Sequence, residues 1–262
     1  MKTRLQLMAT LCVLAWGVVP VVVIAQPARE VLFQTSTIGA LLEGVYDGDV
    51  TFAQLKHHGD FGLGTLNCLD GEVIGFDSQF YQINVAGEVH PIADTAITPF
   101  AVVTFFDVDK SLDLRERSDW DDLQAFIRTM MPTDNLMYAI KVEGWFRYVK
   151  TRSVPRQTKP YPRLAEVVKH QAIFEFRNVR GTLVGFWLPD YMQGVNVPGF
   201  HLHFLTEDRT GGGHLLDCQM LRGQVAIDYT PAFYMALPDT DEFYQVDLHE
   251  DKRDELEKVE KD

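Results

Sequence analysis

Between Gly199 and His214 the chain carries three histidines at a spacing that few local structures satisfy. His201 and His203 are one residue apart, so on a β-strand, where side chains alternate with period two, both imidazoles share a face. Gly211, Gly212 and Gly213 then precede His214 and predict a turn that brings the chain back and sets the third ring beside the pair. Three neutral nitrogens with a fourth position open describe a catalytic zinc site, because a structural one is closed by four ligands. The spacing alone therefore predicts a strand pair that holds a Lewis acid.

At 262 residues the chain has room for one large domain or two small ones. It is 46% apolar with moderate charge, which predicts a globular protein. Its net charge of −13 argues against nucleic acid and anionic membrane surfaces as partners. No basic, aromatic-laced stripe opposes that reading.

The first 25 residues differ from the rest. Lys2 and Arg4 precede an almost wholly apolar run from Leu5 to Ala25, broken by Pro20 near a small-residue cleavage pattern. Residues 1–25 therefore read as a signal peptide, and the mature protein as exported, periplasmic or secreted, with no membrane attachment. An uncleaved anchor is the alternative, since the run is just long enough to span. Cleavage removes Lys2 and Arg4 and takes the charge from −13 to −15. Cys68 and Cys218 remain; nothing in their spacing forces a disulfide, and both read as small apolar core residues.

Downstream of Pro27 the pattern is an α+β one. Residues 36–45 and 51–58 read as short helices capped by Ser36 and Thr51. Residues 64–69 and 72–76 read as strands around an Asp70-Gly71 turn. Further strands are expected over 80–85, 101–106, 138–149, 172–176, 181–187, 201–205 and 224–229. An amphipathic helix is expected over 118–130, and a helix over 164–170. The charged tail reads as a surface helix or a loose end.

Other groups bear on an open zinc site. Glu72 follows the Asp70-Gly71 turn, where a hairpin can push a carboxylate into a cleft; the alternative is an exposed strand-end acid. Arg152 lies in a basic cluster of an acidic protein, and is either an anion site or surface charge balance. Glu207 and Asp208 flank the histidines as turn residues or as partners of the ligands. A Gly-x-Ser-x-Gly elbow, a His-Glu-x-x-His helix and a Walker loop are all absent.

Taken together, several long segments resemble the α-acetolactate decarboxylase family. They are Thr37 to Asp49, His58 to Thr65, Asn67 to Glu72, Thr98 to Phe106, Thr151 to Gln157 and the histidine block. The resemblance covers the mature chain. It implies an α+β fold of mixed and antiparallel sheets with flanking helices in two structurally related halves. The halves run over 26–155 and 156–246, and a tail, 247–262, reaches the active site. It implies Zn2+ on His201, His203 and His214, Glu72 and Arg152 as active-site acid and arginine, and Thr65 lining the pocket. A tail glutamate approaches the metal in that family; Glu260 is the best match here, with Glu257 the alternative. The implied reaction converts 2-acetolactate to (R)-acetoin and carbon dioxide through a metal-stabilised enediolate, in a homodimer. Either Glu72 or Arg152 delivers the proton, and a carboxyl group with a raised pKa is the better acid.

Three other readings fit parts of the chain. His201-x-His203 followed by Glu207 resembles the opening of a cupin motif. A non-catalytic secreted module would close the zinc with Glu207 or Cys218. A three-histidine zinc hydrolase is the third.

Overall fold

A computed structural model describes residues 29–261; the signal-peptide reading falls outside them. Among those residues, no helix is long and apolar enough to cross a membrane. Eight short strands come first: β1 (Val31–Thr35), β2 (Val50–Thr51), β3 (Phe61–Thr65), β4 (Glu72–Phe76), β5 (Gln79–Ile83), β6 (Val89–Pro91), β7 (Ile97–Thr98) and β8 (Phe100–Thr104). They are followed by β9 (Lys110–Leu114), β10 (Met137–Ser153), β11 (Ala172–Leu188), β12 (Gly199–Thr206), β13 (Gly212–Thr230) and β14 (Ala232–Ala236). Between and after them lie α1 (Ile38–Leu42), α2 (Phe52–Leu55), α3 (Trp120–Arg128), α4 (Leu164–Val167), α5 (Asp241–Gln245) and α6 (Arg253–Lys261).

Seven strands form one sheet in the order β14-β1-β8-β3-β4-β5-β6. Its β1–β14 pair is parallel and its other pairs are antiparallel, so the sheet is mixed. The second sheet runs β10-β11-β12-β13-β9, with β10 also pairing β13. Its four long strands therefore close on one another.

The residue pattern explains which face goes where. Along β12, Leu202 and Phe204 join a core with Phe146, Leu183 and the α3 residues Leu123 and Ile127. Leu205, on the opposite face, joins Ile74, Val184 and Phe186 in the core between the two sheets. His201 and His203 share that inter-sheet face by the same alternation. A third cluster, with Phe33, Phe52 and Val103, backs the first sheet.

Local chemistry sets the helix ends. Thr51 and Gln54 form a capping box at α2. Asp119 accepts from the Asp122 amide at α3, whose first turn is acidic and whose last holds Arg128. In α6, Leu256 and Val259 are one turn apart and both buried, which seats an otherwise charged helix. Each contributes about 1.5–3 kcal/mol on burial, enough to oppose fraying of the tail.

Several expectations need correction. The segments 172–176 and 181–187 are one strand, and 224–229 is the end of a 19-residue strand. Exposed polar positions interrupt the apolar pattern there, but strand pairing continues across them. Thr37 rather than Ser36 caps α1; Ser36 sits at φ 62°, outside the extended conformation a cap adopts. Cys68 is no apolar core residue. It lies half-buried in a polar cluster, its sulfur 3.3 Å from Arg156 Nη2 and 3.2 Å from the Tyr161 hydroxyl. Cys218 is fully buried, and both thiols are free.

Asp228 on β13 is 1% exposed and accepts only a long bond, 3.3 Å, from the Asp107 amide. Burial pushes its carboxyl up to about 7, with Asp109, Asp107 and Glu30 adding repulsion. A raised folded-state value means the native state holds this proton more tightly than the unfolded chain. The associated stability is complete below about pH 4, the unfolded value, and is lost as pH rises through about 7. Asp228→Asn should therefore raise the melting temperature at pH 8 by an amount worth about 1–3 kcal/mol, and change it little at pH 4. Melting curves at both pH values check this; equal shifts would contradict it.

Candidate metal centre

Strand register assembles the histidines. His203 pairs with His214 across the β12–β13 ladder, and His201 lies two residues further along the same face. Arg152 of β10 pairs with His214 from the other side. The ligand atoms of the three rings lie within 4.8 Å of one another, and all three side chains are buried. Ring centroids are 5.0–5.3 Å apart.

The glycines act differently from the expected turn. Residues 207–210 form it, with Arg209 at φ 57° and Thr206 Oγ1 accepting from the amides of Thr210 and Gly211. Gly212 and Gly213 already belong to β13. Gly213 has φ 132°, and a Cβ there would meet the Arg152 carbonyl oxygen at 2.4 Å. A glycine is required to bring His214 against Arg152.

The first sheet supplies the opposite wall. Glu72 opens β4 after Gly71, which has φ 79° and where a Cβ would meet the Ile83 carbonyl oxygen at 2.3 Å. Thr65, opposite Glu72 on β3, donates to the Gly71 carbonyl at 2.7 Å and holds that turn. Glu72 is thus a buried side chain, not an exposed strand-end acid. Arg152 Nη1 donates to its Oε1 at 3.2 Å, and its Oε2 lies 3.7 Å from His203 Nε2. From α6, Glu260 Oε2 stands 3.7 Å from His201 Nε2 and 3.6 Å from His214 Nε2. Of the two tail candidates, Glu260 lines the inner pocket and Glu257 only the outer cavity.

Electrostatics suit a cation. Burial holds His201 down to about 3, with Arg152 opposing its charge further. Burial likewise holds His203 and His214 well below the usual imidazole range, so all three are neutral ligands near pH 7. His203 Nδ1 lies 2.7 Å from the Val73 carbonyl oxygen, to which only a protonated nitrogen can donate. That tautomer leaves Nε2 as the lone pair, and Nε2 is buried without a hydrogen-bond partner. An orphaned lone pair beside two more neutral rings is the donor set a divalent ion requires. Burial raises Glu72 to about 7, opposed by Arg152 and reinforced by Glu260. Burial raises Glu260 to about 7 as well, opposed by Arg152.

Two cavities meet at this point. The inner one, about 40 Å3, is lined by the histidines, Glu72, Arg152, Thr65 and apolar side chains including Ile38, Leu69 and Phe100. The outer, about 710 Å3, shares with it only His201, His214 and Glu260. Sequence reasoning missed the Val73 carbonyl, because a backbone acceptor leaves no residue signature. It also missed the contribution of α1 and α4, whose Ile38, Leu41 and Leu164 read as ordinary core positions.

The remaining candidates lie elsewhere. Glu207 pairs with Arg180 at 2.9 Å on the surface, and Asp208 accepts from Thr210 at 2.8 Å within the turn. Cys218 is packed in the core on the far face of the second sheet. Neither Glu207 nor Cys218 lies at the histidines, so neither is the further ligand that the cupin-like and closed-module readings call on.

Comparison with known proteins gives one consistent result. The family model for alpha-acetolactate decarboxylase matches residues 32–250. An alpha-acetolactate decarboxylase of Methanosarcina mazei is 50% identical over 238 residues, covering 91% of this chain and 83% of the relative. One from Methylococcus capsulatus is 50% identical over 217 residues, 83% of this chain and 84% of the relative. The crystal structure of alpha-acetolactate decarboxylase from Bacillus subtilis strain 168 superposes with a TM-score of 0.87 at 40% identity, over 88% of this chain and all of that one.

Proposed function

The chain belongs to the alpha-acetolactate decarboxylase family, and we propose on that premise that it converts 2-acetolactate to (R)-acetoin and carbon dioxide with one zinc ion on His201, His203 and His214. The observation that carries this reading is the convergence of three neutral imidazoles and the buried Arg152–Glu72 pair on one cavity. Zinc, when bound, supplies a Lewis acid that withdraws developing negative charge from the substrate's oxygens.

The chain's own residues supply the rest. Arg152 spends Nη1 on Glu72, but its Nε is buried without a partner. That donor is available for an oxygen of the substrate carboxylate and orients it for departure. Loss of carbon dioxide leaves an electron pair that passes to the adjacent ketone oxygen as an enediolate. Glu72, raised to about 7 by burial, can carry a proton near neutral pH and return it to carbon. It approaches from the first-sheet side only, which accounts for a single enantiomer of product. Apolar side chains including Ile38, Leu69, Phe100 and Leu164 line the same cavity and lower the local polarity around the reacting groups. The outer cavity meets the inner one at His201, His214 and Glu260 and serves as the substrate's approach.

Two further parts belong to the same reading: export after removal of residues 1–25, and a homodimer. The direct test is a colour assay for acetoin on purified protein given 2-acetolactate. Product should form, cease after treatment with a chelator, and return with added zinc. Undiminished product from metal-free protein would overturn the zinc assignment, and no product under any condition would overturn the activity.

A further inference from the structure

The second sheet is irregular between Lys150 and Thr151, beside the histidines, and again at a level further along the strands and away from them. On β13, Arg222 and Met220 pair with Trp145 and Phe146 of β10, which leaves Leu221 skipped. On β10, Phe146 and Tyr148 pair with Met220 and Gln219, which leaves Arg147 skipped. On β11, Arg177 and Val179 pair across to β10 while Asn178, at φ 52°, does not. Irregularities of this kind re-aim side chains out of the pleat. Here the three skipped residues all line one open groove of about 650 Å3.

The groove's charge runs against that of the protein. Arg117, Arg147 and Arg177 line it with Tyr148 and Gln219, and no carboxylate does, in a chain of net charge −13. Met220 exchanges two backbone hydrogen bonds with Ser118, at 2.8 and 3.0 Å, which fixes the neighbouring Arg117 over the groove. Arg117 Nη2 is then held by the amide oxygen of Gln219 at 3.0 Å rather than by an acid. Arg177 lies 5.3 Å from the Tyr148 ring centre, and its one ion pair, to Glu175 at 3.2 Å, is exposed. Exposed pairs of that kind are weak and readily exchanged for a stronger anion.

We propose that this groove binds a phosphate group. Three guanidinium groups lining one groove, with the exposed Glu175 beside Arg177, match the several acceptor oxygens of a phosphate ester. None of its residues lines either cavity of the metal centre. The phosphate belongs either to a soluble ester or to a lipid headgroup, and two probes separate these sources. Glycerol 3-phosphate is titrated calorimetrically into the full protein at low ionic strength, and the protein is co-sedimented with phosphatidylglycerol vesicles against phosphatidylcholine ones. Saturable binding of either probe is expected, weakened roughly tenfold or more in Arg147→Glu. Acetoin formation in that variant should equal wild type, which shows that it is folded. Binding of glycerol phosphate alone identifies a soluble ester; selective sedimentation with phosphatidylglycerol identifies a headgroup. Binding of neither probe, or equal binding by Arg147→Glu, would overturn the proposal.

Discussion

A His203→Ala protein should bind no zinc at the site and form no measurable acetoin from 2-acetolactate. The imidazole is 1% exposed and is fixed from behind by the Val73 carbonyl at 2.7 Å, so its unpartnered Nε2 is held within 4.8 Å of the other two ligand atoms. Removing it takes one of three ligands. Affinity should fall by more than the roughly 10–100-fold that changes behind a ligand cost. The variant also leaves the Val73 carbonyl without its donor, at about 1–3 kcal/mol, which a domain with a core of this extent survives. Metal content by mass spectrometry, a melting curve and the colour assay together make the test. A folded variant that retains zinc and turnover would contradict the ligand assignment.

Glu72→Gln should separate chemistry from metal binding. Glutamine keeps the shape and an acceptor oxygen for Arg152 Nη1, so the pocket and the histidines stay in place. It carries no transferable proton. The expected result is a fall in kcat of roughly 10^2–10^4, with zinc content unchanged and KM little altered. Some stability is lost, because the Arg152 charge stays buried with a neutral partner; breaking such a pair outright costs about 3–5 kcal/mol. A kcat equal to wild type would assign the proton to another group. A loss of zinc in step with the loss of rate would instead make Glu72 a metal-holding residue.

The sequence exposes those parts of the site that depend on local spacing. Period-two alternation is enough to put His201 and His203 on one face, and the strand they occupy, Gly199–Thr206, is where the pattern places it. The hairpin that brings His214 beside them is equally local, although its turn is made by residues 207–210 and the glycines serve close packing instead. Arg152, Glu72 and Glu260 are different. They come from β10, β4 and α6, and only long-range strand pairing and sheet stacking bring them together. Nothing in the neighbourhood of Glu72 distinguishes a buried acid from an exposed one; the resemblance to the decarboxylase family names those residues, and the geometry locates them. The same limit explains the strands. Exposed residues such as Arg177 and Asn178 break the apolar run within β11, and only its full-length pairing with β10 reveals one continuous strand.

The central claim is that three converging imidazoles grip a single divalent ion and leave it accessible to an oxygen-bearing ligand. The most direct measurement is the zinc X-ray absorption spectrum of the purified protein, recorded with and without an added 2-hydroxy acid. The expected spectrum shows one zinc per chain with three imidazole nitrogens, and its oxygen shell changes when the hydroxy acid is added. A spectrum with sulfur in the shell, or one saturated by protein ligands and indifferent to the hydroxy acid, would contradict it.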